Sequence, residues 1–286
     1  MANAYEHIET IRDYIGEGTA KHWTDRELLR RLNTVQRRLA VAVAKAPGDW
    51  LVKSKSVTPS SSEITLPSDC SKPVYLEETA TGNVISFSTR VMDRRVSRLT
   101  GTSLWSGTLE AYFVKGKIVV NQDSYGEACT LWYQERVPDL HVGTASAGAA
   151  TSITLSAHDG AGVSSGGFGA KVVADYYNGA GIEVVSGTGA GTVDTITDYT
   201  TARVATVSGT YDSDSVYGTI SKLPEECHNL MEVEAALMAM SKPSSVLDPQ
   251  IFQFIRDRWR EYRNEFQEWI TTQHADSHRV RITEFE

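Results

Sequence analysis

The sequence predicts an α+β protein, with a helical bundle formed by the N- and C-terminal segments, an antiparallel β region and an inserted small β module. Apolar residues recur at intervals of three and four near both ends of the chain, which indicates amphipathic helices. Between these ends, short alternating or apolar runs separated by turn residues indicate strands. From residue 143 onward the composition shifts to glycine, serine and threonine. These three observations together predict the fold class.

The same observations divide the chain into segments. We expect a helical bundle from residues 1–49 and 221–273, a β region from 50–142, an inserted β module from 143–220, and an extended C-terminal tail from 274–286.

Two amphipathic helices open the chain. The first is predicted over Ala4–Ile15, where Gly16 is placed to end it. The second lies within Trp23–Ala46, because Thr24 and Glu27 have the spacing of a capping box. Its apolar stripe consists of Leu28, Leu32, Val35, Leu39, Ala42 and Ala46.

The β region contains six runs that are typical of strands. Lys115-Gly116 lies between two of them and predicts a tight hairpin. The predicted strands are Glu63–Leu66, Pro73–Glu78, Val84–Phe87, Leu109–Val114, Lys117–Asn121 and Cys129–Glu135.

The segment 143–220 is acidic. It holds seven Asp and Glu residues and two basic residues, Lys171 and Arg203, so it contributes −5 (2 minus 7) to the formal charge of −8. The runs TSITLS, GIEVVS, TVDTIT, ARVATVS and SVYGTI predict strands, and Asn178-Gly179 predicts a turn. We therefore expect a separate module between the β region and the C-terminal helices.

Helical signals return at Pro224, which suits the first position of a helix. A longer helix starts near Asp248-Pro249 and has a predicted length of about 30–35 Å. Its aromatic residues indicate core or a subunit interface, because large rings dominate both. The candidate interface residues are Trp259, Tyr262, Phe266 and Trp269.

Composition excludes several classes of protein. The chain has 286 residues with 41% hydrophobic content, which is enough for a real core and about two domains. A net charge of −8 argues against a protein that binds nucleic acid through a broad basic surface. The charge does not exclude a protein surface that lies beside DNA. Three distant cysteines without CxxC spacing predict reduced thiols. No apolar run is long enough for a membrane span, so we expect no membrane partner.

Catalytic and cofactor motifs are not found in the sequence. The seven histidines are scattered, with no HExxH pair, and no serine stands in a GxSxG motif. The glycines of Ser186–Thr192 follow a GxGxG pattern before a predicted strand, whereas a dinucleotide fingerprint needs GxGxxG before a helix. A turn connecting two strands explains this segment better. We expect no catalytic residue, no cofactor and no metal, and hence no enzyme.

Arginines lie off the apolar stripes of the second and last helices and are candidates for facing DNA, although such faces are usually only solvated. These candidates are Arg30, Arg37, Arg38, Arg256 and Arg260.

The C-terminal tail alternates like a strand and predicts addition to the sheet edge of another protein, while a disordered end is the simpler alternative. The candidate binding residues are Arg279, Val280, Arg281, Ile282, Thr283 and Phe285.

The order of these parts, with the helix motif W-T-D-x-E-L-L-R-x-L-N-x-x-Q starting at Trp23, resembles the head-to-tail adaptor (connector) proteins of tailed bacteriophages. The resemblance covers roughly residues 4–137 and 223–286. It implies a ring, usually of twelve copies, at the virion neck between capsid and tail. Its helical bundle would surround the DNA channel, its C-terminal tail would bind the portal, and tail or nozzle proteins would dock on the far face. The added module resembles small β modules of phage virion proteins.

Two other classes stay open. One is another neck or tail component, such as a terminator, nozzle or receptor-binding protein, for which the inserted module would perform the binding. The other is an enzyme such as a cell-wall hydrolase, for which the sequence offers no catalytic constellation.

Overall fold

The structure is a computed structural model. It describes residues 2–17, 22–46, 48–88, 109–114, 116–122, 125–164, 169–241 and 248–282, with side chains left undescribed at 88 and 273–282.

The architecture is mostly β, so the predicted fold class, a helical bundle with a β region and a small inserted module, is wrong. The described residues form 15 strands in three sheets, together with four α-helices. The periodic stripes located the helices correctly. They gave no measure of how many short strands pair with one another, because pairing between distant segments leaves no periodic signal in either one.

The chain divides into two compact units. The sheet unit is Leu51–Arg136, and the mixed unit combines Met1–Trp50 with Val137–Glu286.

The described residues of the sheet unit form seven strands in the order β1-β7-β3-β4-β5-β6-β2. All six predicted runs form strands, and the pairing is antiparallel except between β4 and β5. Inward-facing residues such as Leu76, Ile85 and Leu131 build its core. The strands are β1 Val52–Val57, β2 Glu63–Thr65, β3 Cys70–Glu78, β4 Val84–Ser88, β5 Glu110–Val114, β6 Lys117–Val120 and β7 Cys129–Glu135.

The mixed unit contains two four-stranded sheets, ordered β12-β11-β15-β8 and β13-β14-β10-β9. A core rich in buried tyrosines, including Tyr177, Tyr199 and Tyr217, belongs to this part of the chain. The strands are β8 Val142–Thr144, β9 Ala147–Ala149, β10 Ser152–Thr154, β11 Gly181–Ser186, β12 Val193–Thr195, β13 Asp198–Tyr199, β14 Val204–Thr206 and β15 Val216–Ile220.

Four α-helices lie in the described part of the mixed unit. Asn3 caps the first, and Thr24 forms the predicted capping box with Glu27 at the start of the second. A short 3-10 turn, Glu225–Cys227, precedes the third. The helices are α1 Ala4–Tyr14, α2 Asp25–Val43, α3 His228–Met240 and α4 Pro249–Ile282.

Residues 143–220 are connected to the helices by specific polar contacts. Asn3 bridges to Ile220, and its Nδ2 donates to Oε2 of Glu183 at 2.8 Å. On either side of this segment, Gln36 of α2 donates to the carbonyl of Pro138 at 2.8 Å and accepts from the hydroxyl of Ser221 at 2.9 Å. The segment therefore lies in one compact unit with the helices, and whether it also folds alone stays a prediction.

The C-terminal segment differs from the extended tail predicted from residue 274. Helix α4 has 34 residues and continues to Ile282, so its length is about 50 Å, longer than predicted. The sequence contains no glycine or proline between Thr271 and Ile282 that would end a helix, and the alternation of arginine with apolar residues does not by itself exclude one.

Candidate functional site

The candidate site is a cleft of about 680 Å³ in the mixed unit. Helix α2 contributes Arg30 and Arg37 to one wall, and the β part contributes His141, Asp159 and Lys171. This volume is in the range of ligand-binding sites in proteins.

Asn33 fixes α2 against the segment that leads into β8. Its Nδ2 donates to the carbonyl of Leu140 at 2.9 Å, and its Oδ1 accepts from the Leu140 N–H at 2.6 Å. The carboxylate of Asp139, next in the chain, pairs with Nε of Arg37 at 3.2 Å and with Nζ of Lys171 at 3.3 Å. One carboxylate thus holds cationic groups from both walls of the cleft.

His141 belongs to a buried chain of hydrogen bonds at the base of the cleft. The N–H of Ser156 donates to Oη of Tyr217 at 2.6 Å, and Oη lies 3.0 Å from Nδ1 of His141. The phenolic oxygen of Tyr217 therefore connects the backbone of Ser156 to the imidazole of His141.

The other ring nitrogen of His141, Nε2, is buried and has no hydrogen-bond partner among the described residues. It lies 3.4 Å from Oδ1 of Asp159, too poorly placed for a hydrogen bond. Burial lowers the pKa of His141 to about 3, against a backbone hydrogen bond with His158 that raises it, and the charges of Arg203 and Lys171 lower it further, so the imidazole is neutral at pH 7. Burial also raises the pKa of Asp159 to about 6, against the nearby positive charge of Arg26.

The positive charge at this cleft contrasts with the acidity of the segment that forms it. Lys171 and Arg203, the only basic residues in the sequence between 143 and 220, both act on His141. Nε of Arg203 donates to the carbonyl of Ala170, the neighbour of Lys171, at 3.0 Å. The fold therefore places the two basic residues of this acidic segment, Lys171 and Arg203, close to His141.

The candidate arginines are distributed over several surfaces. Arg30 and Arg37 line the cleft. Arg38 pairs with Glu234, and Arg260 pairs with Asp257 at 3.1 Å. Arg256 is exposed on α4. Whether any of them faces DNA stays a prediction.

The candidate interface aromatics are partly covered by their own chain. Phe266 is buried and stacks with Trp269 at 6.0 Å, and Trp269 lies 5.5 Å from the ring of Trp50. The guanidinium of Arg263 lies 5.1 Å above the ring of Trp259.

Tyr262, the remaining candidate of this set, hydrogen bonds with Tyr14. Burial and this hydrogen bond raise the pKa of Tyr14 to about 12. These aromatics therefore anchor α4 to its own unit, and their part in a subunit interface stays a prediction.

The candidate portal-binding residues fall into two groups. Arg279, Val280, Arg281 and Ile282 belong to α4 and not to a strand. Thr283 and Phe285 lie outside the described residues. The described backbone of residues 279–282 is helical, and both strand addition to a partner and binding to a portal stay predictions.

The glycine-rich segment Ser186–Thr192 connects β11 with β12, as the prediction of a turn requires. The backbone N–H of Thr188 donates to Oδ1 of Asp214 at 2.7 Å, and its hydroxyl donates to Oδ2 of Asp212 at 2.7 Å. Carboxylates of the protein thus occupy donors that a phosphate would need.

Two further observations concern the described part of the chain. It contains no group of three or more His, Cys, Asp or Glu residues that could hold a metal ion.

None of the helices in the described part of the chain is both long enough and apolar enough to cross a membrane.

The sequence did not reveal the cleft. His141, Asp159, Lys171 and Tyr217 are separated by 12 to 46 positions and form no motif. The one available signal was that Lys171 and Arg203 are isolated in an acidic segment, and that signal does not say what lies beside them.

Comparison with known proteins does not identify the chain, since no family model matches the sequence and no curated protein matches it.

Proposed function

We propose that this chain is a structural virion protein, a head-to-tail adaptor of a tailed bacteriophage, which forms a ring that joins the portal to the tail and continues the DNA channel. It would be made in the host cytoplasm and act at the neck of the virion. The resemblance of the motif starting at Trp23 supports this proposal. So does the capping box that opens α2, in which the hydroxyl of Thr24 accepts from the N–H of Glu27 at 3.2 Å.

The observation that carries the proposal is the exposed length of α4. Among its described side chains, up to Thr272, only Ile255 and Phe266 are buried. Phe252 and Phe254 are 36% and 51% exposed. Exposed apolar side chains on a long helix gain free energy when a second protein covers them. Helix α4 therefore offers a surface for assembly with further copies and with neighbouring virion proteins.

The pairing of the arginines also suits a channel. Arg38 and Arg260 are each neutralised by a carboxylate, Glu234 and Asp257 respectively. Strong binding to DNA requires unpaired cations that neutralise phosphates. A surface of locally paired charges lets DNA pass without holding it.

The test combines the purified chain with the portal of the same phage, and negative-stain imaging and native mass spectrometry provide the readouts. We expect a ring attached to the portal. Phe252→Ser with Phe254→Ser should reduce ring formation, while Val193→Ser, which changes another exposed apolar residue of the mixed unit, should not. A chain that stays monomeric and does not bind the portal would contradict the proposal.

Two further arms separate the alternatives. Deletion of residues 278–286 should leave rings intact and weaken attachment to the portal. Binding to a cell-surface glycan without binding to the portal would instead favour a receptor-binding protein.

A further inference from the structure

An open, mainly apolar pocket of about 510 Å³ lies where α1 ends and α4 begins. Tyr14 of α1, together with Ile251 and Phe254 of α4, supplies its apolar lining, and Asp13 of α1 also lines it. One wall is fixed without any ligand, because Tyr14 hydrogen bonds with Tyr262 further along α4. A preformed apolar pocket of this size can accept a large side chain.

The carboxylate of Asp13 gives this pocket a negative charge. The side chain of Asp13 is exposed and forms no ion pair with another described residue. Arg258, whose guanidinium lies 5.6 Å from the ring of Phe254, is already paired with Glu261 at 2.8 Å. The pocket therefore suits an apolar side chain that is accompanied by a cation.

The other flank of α4 carries such a pair. Phe252 is 36% exposed, and Arg256, one turn further along the helix, is exposed and forms no ion pair with a described residue. Side chains four residues apart lie on the same face of a helix. At 3.6 residues per turn, Phe252 points about 160° away from Phe254 of the pocket. The pair and the pocket therefore face in nearly opposite directions.

A second copy of the chain matches both surfaces in shape and in charge. Because the two surfaces face apart, one neighbour cannot cover both, so each copy would contact two neighbours. A contact between two different surfaces, repeated from copy to copy, closes into a ring if the rotation allows it. An unrelated partner would cover one apolar surface and leave the other exposed to water.

We propose that copies of this chain join head to tail at the start of α4. Phe252 of one copy inserts into the neighbour's pocket, and its Arg256 pairs with the neighbour's Asp13. The inference rests on the proposed function, because it names the two surfaces from which the ring is built.

Truncation of the inserted ring tests the contact, with sedimentation and native mass spectrometry of the full chain alone and with the portal. Phe252→Ser should weaken assembly about 10-fold or more, since aromatic side chains that fill a pocket carry much of the binding energy of an interface. Val193→Ser removes another exposed apolar side chain and should change assembly less than about 2-fold. Circular dichroism checks that both variants fold.

A charge exchange tests the geometry. Asp13→Arg and Arg256→Asp each place like charges in the contact and should weaken assembly about 10-fold or more. The double variant, and also an equimolar mixture of the two single variants, should regain assembly, because opposite charges then meet in the contact. Lys55→Asp, an exposed charge reversal in the sheet unit, should change assembly less than about 2-fold.

Several results would overturn this contact and leave the adaptor function standing. These are rings that form normally in Phe252→Ser, a double charge variant that stays as weak as the single variants, and loss of attachment to the portal while rings stay intact, which would assign the surface to the portal. A chain that is monomeric alone and with the portal would overturn both proposals. Rings that respond as expected but do not bind the portal would support the contact and contradict only the adaptor function.

Discussion

The sheet unit and the mixed unit differ in whether their described buried polar side-chain atoms all have hydrogen-bond partners. In the sheet unit, Tyr133 donates to both oxygens of Asp69 at 3.1 Å and Tyr125 donates to Glu78 at 3.0 Å. Among the described residues, every buried side-chain nitrogen or oxygen that lacks a partner lies in the mixed unit. These atoms belong to His7, His141, His158, Asn178 and His228.

This difference predicts that the two units respond differently to changes in pH. Unpaired buried polar atoms are costly and are seldom retained without a reason. The mixed unit contains all seven histidines of the sequence, whereas residues 51–136 contain none. We therefore expect acid pH and polar substitutions to act mainly on the mixed unit, and the following predictions test that expectation from the largest effect to the smallest.

The largest effect is expected from Leu32→Asp, because Leu32 is fully buried on α2. An unpaired carboxylate there should cost at least about 4 kcal/mol and unfold the mixed unit. Val41→Asp introduces the same group on the same helix at a position 56% exposed and should cost less than about 0.5 kcal/mol. Urea unfolding followed by circular dichroism measures both, and similar midpoints would mean that the apolar face of α2 is not core.

A matched pair of tyrosine substitutions compares the two units directly. Tyr217→Phe removes the partner of both Ser156 N–H and His141 Nδ1, which are buried, and should cost about 2–3 kcal/mol. Tyr133→Phe leaves Asp69 paired with Lys53 at 3.0 Å and should cost about 1 kcal/mol. Equal losses in free energy of unfolding would remove the proposed difference between the units.

Acidification should destabilise the mixed unit selectively. The pKa of His141 is about 3 in the fold and 6.5 as its ordinary value, so the unfolded chain binds the proton more tightly. Stability is therefore lost as pH falls below about 6.5, by about 2 kcal/mol at pH 5. Burial lowers the pKa of His228 as well, which adds to the loss. Amide hydrogen exchange, corrected for intrinsic rates, should show lost protection in the mixed unit between pH 7 and 5.

Asp159 opposes this effect, which gives the experiment an internal control. Its pKa is about 6 in the fold and 3.8 ordinarily, so the folded state binds the proton more tightly and gains stability, by about 1 kcal/mol, as pH falls to 5. Asp159→Asn removes that gain, so the variant should lose more stability on acidification than the unmodified protein. An equal pH dependence in the two units, or a flatter one in the variant, would contradict the prediction.

The smallest effect concerns the start of α2. Thr24→Ala removes the acceptor for the Glu27 N–H and should cost about 1 kcal/mol. Thr65→Ala, at an exposed position of β2 in the sheet unit, should change the free energy of unfolding by less than about 0.5 kcal/mol. Denaturation midpoints of the two variants decide the matter, and a neutral Thr24→Ala would mean that packing alone positions α2.

Local signals in the sequence located most elements. The capping residues Thr24 and Glu27, and the runs that form β2 to β7, lie where they were predicted. Strand β1, Val52–Val57, was missed because its residues are polar or partly exposed at the edge of the sheet. The two-residue strand β13 was missed because it is defined by pairing with β14 and not by any pattern of its own.

The sequence by itself determined where helices start, which runs can become strands, and that the chain is acidic with a charge of −8. These properties depend on neighbouring residues, whose spacing is visible in the chain. Only the tertiary structure decided that three sheets dominate, that 143–220 belongs with the helices, and that His141 meets Tyr217 and the cationic cleft. Those outcomes depend on pairing and burial between residues far apart, because the free energy of such contacts exists only once the segments meet.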